Sequence, residues 1–226
     1  MGKQSVSALM VGCGGMSRAW LNAAAKIGQV RVVGLVDLVE ANAAQRAQEF
    51  GLTDAWVGTD LEAALRATQP QAVFDCTVPE AHTPTTIASL RHGCHVLGEK
   101  PMSDSMARAR RSVQAAAKAG RIYAVIQNRR YLEPIRRLRR LLAGGAIGDV
   151  TTVNSDFYIG AHFGGFRDRM EHVLLLDMAI HTFDQCRLLT AADPVSVYCH
   201  EWNPAGSWYD HDASAVAVFE MSRGIV

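Results

Sequence analysis

The sequence has no Cys-x-x-Cys pair and no surplus of charge of one sign. It also has no apolar run near the roughly 18 residues of a membrane-crossing helix. Its 23 Lys and Arg stand against 22 Asp and Glu, a formal net charge of +1. That balance leaves no electrostatic footprint for nucleic acid or an anionic membrane as main partner. The five cysteines, Cys13, Cys76, Cys94, Cys186 and Cys199, are an odd number. They are expected as reduced thiols of a cytoplasmic protein, not as a disulfide framework. The first residues, MGKQSVSALMVGCGG, lack the longer apolar region and cleavage site of a signal peptide. No internal repeat or low-complexity segment is present. What remains is a chain of 226 residues, 49% hydrophobic and 20% charged, which argues against disorder. It is long enough for one large domain or two small ones with a sizeable core.

Strand-like and helix-like segments alternate through the first 130 residues. Val6 to Val11 is a short apolar run ending in Gly, and Ala19 to Ile27 is helical in composition. Val30 to Val36 is β-branched and ends at Asp37; Glu40 to Phe50 and Leu61 to Ala67 read as helices. Ala72 to Cys76, His95 to Gly98 and Ile122 to Ile126 read as strands, separated by helices over Pro79 to Arg91 and Ser103 to Ala119. Such βαβ repetition predicts a doubly wound parallel sheet of Rossmann type over residues 1–127. The pattern then changes. Glu133 to Ala143 is amphipathic, with Ile135, Leu138, Leu141 and Leu142 on one face. Val150 to Tyr158, Val195 to Trp202 and Ala213 to Met221 read as strands, and Val173 to Leu189 as a helix. Residues 128–226 are therefore expected as an α+β region on a mainly antiparallel sheet.

Gly12-Cys-Gly14-Gly15-Met16-Ser17 lies between the first strand and the first helix, the context a dinucleotide-binding turn requires. Gly12 allows the tight turn, and Gly14 lets backbone approach a pyrophosphate. The helix N-terminus offers N–H groups and a positive dipole end. Ser17 holds the third Gly position and is small enough for close packing. Asp37, at the end of the second strand, is placed to accept bonds from an adenosine ribose. Leu38 follows, with no adjacent Arg or Lys for a 2′-phosphate, so NAD is expected over NADP.

Cys76-Thr77-Val-Pro79-Glu-Ala-His82, followed by Gly93-Cys-His-Val-Leu-Gly-Glu99-Lys100-Pro101, resembles the Gfo/Idh/MocA family. Asp177-Met-Ala-Ile-His181 matches that family's later Asp-x-x-x-His pair. Asn128-Arg-Arg-Tyr131, then a helix and Gly145-Ala-Ile-Gly148, looks like its domain junction. Glu171, His172 and Val173 stand where the family carries a Gly-rich stretch. The resemblance implies a nicotinamide-dependent oxidoreductase acting on a sugar, polyol or inositol-like substrate. The implied cofactor contacts are Gly12, Gly14, Gly15, Met16, Ser17, Asp37, Thr77, Pro79, His82, Glu99, Lys100 and Asn128. The substrate side is expected to involve Lys100, Arg129, His162, Asp177 and His181. His82 reads equally as a cofactor neighbour or as an ordinary surface histidine.

The residues themselves support a division of labour. Lys100 ends a buried strand, where ligands of doubly wound sheets bind, and can bond a substrate hydroxyl. Glu99 is expected to hold Lys100. Asp177 and His181 are spaced i and i+4, on one helix face. A lone His on an apolar helix is more often a core histidine, but burying Asp and His together needs a reason. His181 is the expected base for the alcohol proton, a role typically contributing 10²–10⁴-fold, about 3–5 kcal/mol. Asp177 is expected to bond a neighbouring hydroxyl and bias the imidazole. His162, Arg167, Arg169, Glu171 and His172 read as a substrate-side loop.

Other features read as structural. His92-Gly-Cys-His95 runs from helix into strand, so its side chains diverge, and no metal site is expected. Of the arginines at 129, 130, 136, 137, 139 and 140, the last four share a helix with the apolar stripe and read as its solvated face. Two rivals remain: an NAD-using lyase or glycosidase without net cofactor change, and a nucleotide-sensing regulator. Ser222-Arg-Gly224 reads as a hairpin turn and Ile225-Val226 as the start of another strand. The second region is therefore expected to be truncated, with residues 213–226 at an exposed edge or paired with another copy in a homo-oligomer.

Overall fold

A computed structural model describes residues 5–226. The chain divides after Ile126 into two compact units. In the first, six strands form one parallel sheet in the order β3-β2-β1-β4-β5-β6. They are β1 (Val6–Val11), β2 (Val30–Val36), β3 (Trp56–Gly58), β4 (Ala72–Asp75), β5 (His95–Gly98) and β6 (Tyr123–Val125). This is the doubly wound order, with the reversal between β1 and β4. Five helices make the crossovers: α1 (Ser17–Ile27), α2 (Glu40–Glu49), α3 (Leu61–Thr68), α4 (Pro79–Arg91) and α5 (Met106–Ala119).

The two-residue period of the strands fills both faces of the sheet. Leu9, Val11 and Val36 join Leu65, Val73 and Val96 in one cluster. Their alternates Met10 and Leu35 join Leu21, Ala43 and Ala47 in another. That is why β1 and β2 are continuous apolar runs. Capping also follows the sequence. Asp60 accepts the Ala63 N–H at 3.0 Å to start α3, and Ser105 caps α5, which begins at Met106, three residues after the expected Ser103. The three-residue β3 went unpredicted, because it is too short to show alternation and is set by pairing with β2.

The second unit holds α6 (Glu133–Ala143), α7 (Ile180–Thr190), β7 (Pro194–Trp202) and β8 (Ser214–Met221). β7 and β8 form an antiparallel pair. A π-helical turn over Leu174–Ala179 runs directly into α7, so the expected single helix has a widened first segment. One expectation is corrected here. Val150–Tyr158 is not a strand: among the described residues its backbone finds a ladder partner only where Thr151 and Val153 bond Val226. The expected hairpin at Ser222–Gly224 is a short 3-10 turn, and Met221 bridges Ile225 across it. The apolar stripe of α6 forms but is not buried, with Leu141 57% exposed. The small core of this unit is Ala192, Met221 and Ile225.

Candidate active site

In the first unit, the turn after β1 is built around Gly12. Its φ is +85°, and a Cβ there would lie 2.6 Å from the Cys76 carbonyl carbon and oxygen, so only Gly fits. Gly14 and Gly15 are different: a Cβ on either meets nothing within 4 Å, because both face open space. The N–H groups of Gly14, Gly15 and Met16 donate to no acceptor among the described residues. Three exposed amides at the start of α1, with no acidic side chain in its first turn, suit an anionic pyrophosphate. Ser17 is fully buried, and its hydroxyl donates to the Gly14 carbonyl at 2.6 Å. Asp37 stands beside the turn. Its Oδ2 accepts the Cys13 N–H at 2.8 Å, and its Oδ1 accepts from Val39 N at 2.9 Å and Asn42 Nδ2 at 3.1 Å. One carboxylate thus anchors the turn and keeps acceptor capacity on Oδ2 for a ribose hydroxyl.

A buried polar group lies at the carboxyl end of β4. Thr77 donates its N–H at 3.1 Å and its hydroxyl at 2.6 Å to Asp75 Oδ1. His82 Nδ1 lies 3.2 Å from that same oxygen and from Thr77 Oγ1. His82 is 2% exposed, which removes the surface-histidine alternative. Pro79 is buried at the start of α4. At the end of β5, Glu99 accepts Trp20 Nε1–H at 2.8 Å and the Lys100 backbone N–H at 3.1 Å. Glu99 thus holds the Lys100 main chain. The Lys100–Pro101 peptide is cis. Burial first, and then the charges of Glu99 and Asp75, push the Cys76 thiol far up.

The second unit holds a polar cluster of its own. Asp177 and His181 are both buried, in the π-helical turn and the first turn of α7. His181 Nδ1 faces Gln127 Oε1 at 3.2 Å. With that acceptor Nδ1 carries a proton, and in the neutral ring the lone pair then lies on Nε2, the form a base requires. Arg167 donates Nε–H to Asp177 Oδ2 at 2.6 Å. Its guanidinium lies 4.5 Å from the Phe166 ring centroid and 5.6 Å from that of Phe163. His162 pairs with Asp168 at 2.8 Å and stacks on Trp208 at 4.9 Å. Arg129 lies over Phe157 at 5.4 Å, and Asn128 is exposed at the start of a 3-10 turn. His172 takes a left-handed φ of 54° and pairs with Glu201 at 2.7 Å. The structure therefore brings Asp177 together with Arg167. It groups His162 with Asp168 and the Trp208 ring.

An oxidoreductase family with an NAD-binding Rossmann fold matches residues 6–127, and the Gfo/Idh/MocA C-terminal domain matches residues 135–226. The chain belongs to the Gfo/Idh/MocA family. Among its relatives, the protein y4oX of Sinorhizobium fredii is 31% identical, covering 96% of this chain and 62% of its own length. The 1,5-anhydro-D-fructose reductase of Ensifer adhaerens is 29% identical over 82% of this chain and 56% of that one. The chain thus spans little more than half the length of these curated relatives. In fold, it resembles an Agrobacterium radiobacter oxidoreductase crystallised with NAD+, L-tartaric acid and magnesium. That match has a TM-score of 0.87 and 19% identity over 98% of this chain and 65% of that one.

Within this Gfo/Idh/MocA framework, the sequence reading missed Asp75, Trp20, Gln127 and Arg46. Three of them act by a contact distant in sequence: Trp20 to Glu99, Gln127 to His181, and Arg46 to the turn. Asp75 alone carried a local signal, a carboxylate in an apolar strand two residues before Thr77. His92 and His95 diverge as expected, one to Glu62 and the other to the Ile122 N–H. No group of three or more His, Cys, Asp or Glu among the described residues could hold a metal ion. No described helix is long and apolar enough to cross a membrane.

Proposed function

We propose that this chain is part of a nicotinamide-dependent oxidoreductase that acts on the hydroxyl-bearing carbon of a sugar, polyol or inositol-like substrate. The first unit is the dinucleotide-binding domain and the second the substrate domain, which also joins subunits. The observation that carries this reading is the turn itself: three open amides beside a carboxylate at the β1–β4 reversal. The relatives agree in chemistry, since they include a D-glucoside 3-dehydrogenase and an inositol 2-dehydrogenase.

When bound, the nicotinamide ring accepts or returns a hydride; the chain supplies the rest. Gly14, Gly15 and Met16 offer amides to the pyrophosphate, and Asp37 offers Oδ2 to the ribose. Asp37 also repels a 2′-phosphate, so the cofactor is NAD. Lys100 donates a hydrogen bond to the reacting hydroxyl oxygen. His181 removes the hydroxyl proton at Nε2, and Asp177, with Arg167, holds a neighbouring hydroxyl. A panel of sugars, inositols and sugar acids, offered with NAD and with NADP and read by absorbance of the reduced ring, tests this. Turnover with at least one polyol-like member, faster with NAD, is expected. Silence across the panel from a protein that binds neither cofactor would contradict it.

A further inference from the structure

Arg46 is 5% exposed, yet it carries a charge that the chemistry above does not use. It lies on α2 behind the dinucleotide turn. Its Nη2 donates to the Cys13 carbonyl at 3.1 Å and the Gly14 carbonyl at 3.3 Å. Its Nε donates to Ser17 Oγ at 3.0 Å, and that hydroxyl in turn donates to the Gly14 carbonyl. Nη1 pairs with Glu49, which Arg18 also binds; these contacts, led by the Arg18 hydrogen bond, hold the Glu49 carboxyl below its usual range. A buried guanidinium with three acceptors in one turn is a built site.

We propose that Arg46 is a positioning residue for the cofactor, setting the pyrophosphate-binding amides from behind. The reason is the planar trans peptide. In such a unit the C=O and the following N–H point in opposite directions. The Cys13 carbonyl shares its peptide with the Gly14 N–H, and the Gly14 carbonyl shares its peptide with the Gly15 N–H. By pulling both carbonyls inward, Arg46 turns both N–H groups outward, toward the open face where Gly14 and Gly15 have no neighbour. A cation at the carbonyl end also polarises each peptide, making its N–H a stronger donor to an anion. Gly is the least constrained residue, so without this hold the two peptides can rotate. Ser17 is the relay: a Gly at that position would leave Arg46 Nε without its acceptor. Arg46 is thereby occupied, and does not offer its charge to a ribose 2′-phosphate.

This inference rests on the dinucleotide reading, and direct binding separates the two. NAD, ADP-ribose and adenosine are titrated into the full chain, wild type and Arg46→Met, by calorimetry, with circular dichroism as the check on folding. Adenosine keeps the base and ribose but has no pyrophosphate. Arg46→Met is expected to weaken NAD and ADP-ribose by at least about tenfold, and to leave adenosine within about twofold. Arg46→Lys keeps the charge but not the fork, and should recover part of the loss. Ser17→Ala removes only the relay and should lose less than Arg46→Met. Equal loss for adenosine and NAD would mark Arg46 as merely structural. Unchanged NAD affinity in a folded Arg46→Met would also overturn the proposal. If Arg46→Met does not fold, Arg46→Lys and Ser17→Ala decide: wild-type NAD affinity in both overturns it. Wild-type protein that binds none of the three ligands would overturn the dinucleotide reading, and this inference with it.

Discussion

Asp37 serves two ends with one carboxylate. Its Oδ2 anchors the turn through the Cys13 N–H, and in the proposed function its charge faces the adenosine ribose. NAD is therefore expected to bind more tightly than NADP, and calorimetry with both cofactors checks it. Asp37→Ser should narrow the gap and weaken NAD as well, because the Cys13 N–H loses a charged acceptor. Equal affinity for both cofactors in the wild type would contradict this. The neighbouring thiols carry a pH dependence. Burial, and then the charge of Asp37, push Cys13 from 9.0 up to about 12, and Cys76 is raised further still. In the folded chain both keep their protons while the unfolded chain loses them. Stability is thus whole below about pH 8.5 and falls as pH climbs from there toward 12. Denaturant midpoints measured across that window should drop, and drop less in Cys76→Ala. A flat profile would show these thiols uncoupled from folding.

At the scale of elements, the first unit was nearly all legible. Its strands are buried on both faces, and its helices are marked by Asp60, Ser105, Pro79 and the glycines that end them. The second unit was read less well. Val150–Tyr158 alternates like a strand, but alternation only says that a strand would be half-buried; pairing needs a partner, and only Val226 supplies one. The π-helical turn around Asp177 has the composition of an ordinary helix, so nothing local announces it. Candidate site residues stand out by motif spacing, whereas Gln127, Arg46 and Trp20, which make contacts distant in sequence, do not. Lys100 belongs to this scale because β5 and Glu99 fix its main chain. Lys100→Met should lower turnover by at least about 10²-fold and leave NAD affinity little changed. Near-normal turnover would make Lys100 structural.

The whole molecule joins a well-buried unit to one with a thin core. Ten residues in one cluster and six in another support the first sheet, against Ala192, Met221 and Ile225 in the second unit. β7 leaves Val195, Val197 and Tyr198 exposed. Unfolding is therefore expected in two steps, the second unit first. NAD should raise only the later step, by about 2.7 kcal/mol at a hundredfold excess over Kd. Trp202 and Trp208 report the early step and Trp20 and Trp56 the late one. A single concerted transition, shifted as a whole by NAD, would contradict separate cores.

The central claim, net hydride transfer from a substrate carbon to the nicotinamide, is tested most directly by isotope. A substrate found active in the panel is labelled with deuterium at the reacting carbinol carbon and incubated with NAD, and the reduced cofactor is analysed by mass spectrometry. One deuterium in the nicotinamide ring for each substrate oxidised is the result predicted here. Substrate cleaved while the cofactor stays oxidised and unlabelled would contradict it, and would mark the chemistry as that of a lyase or glycosidase.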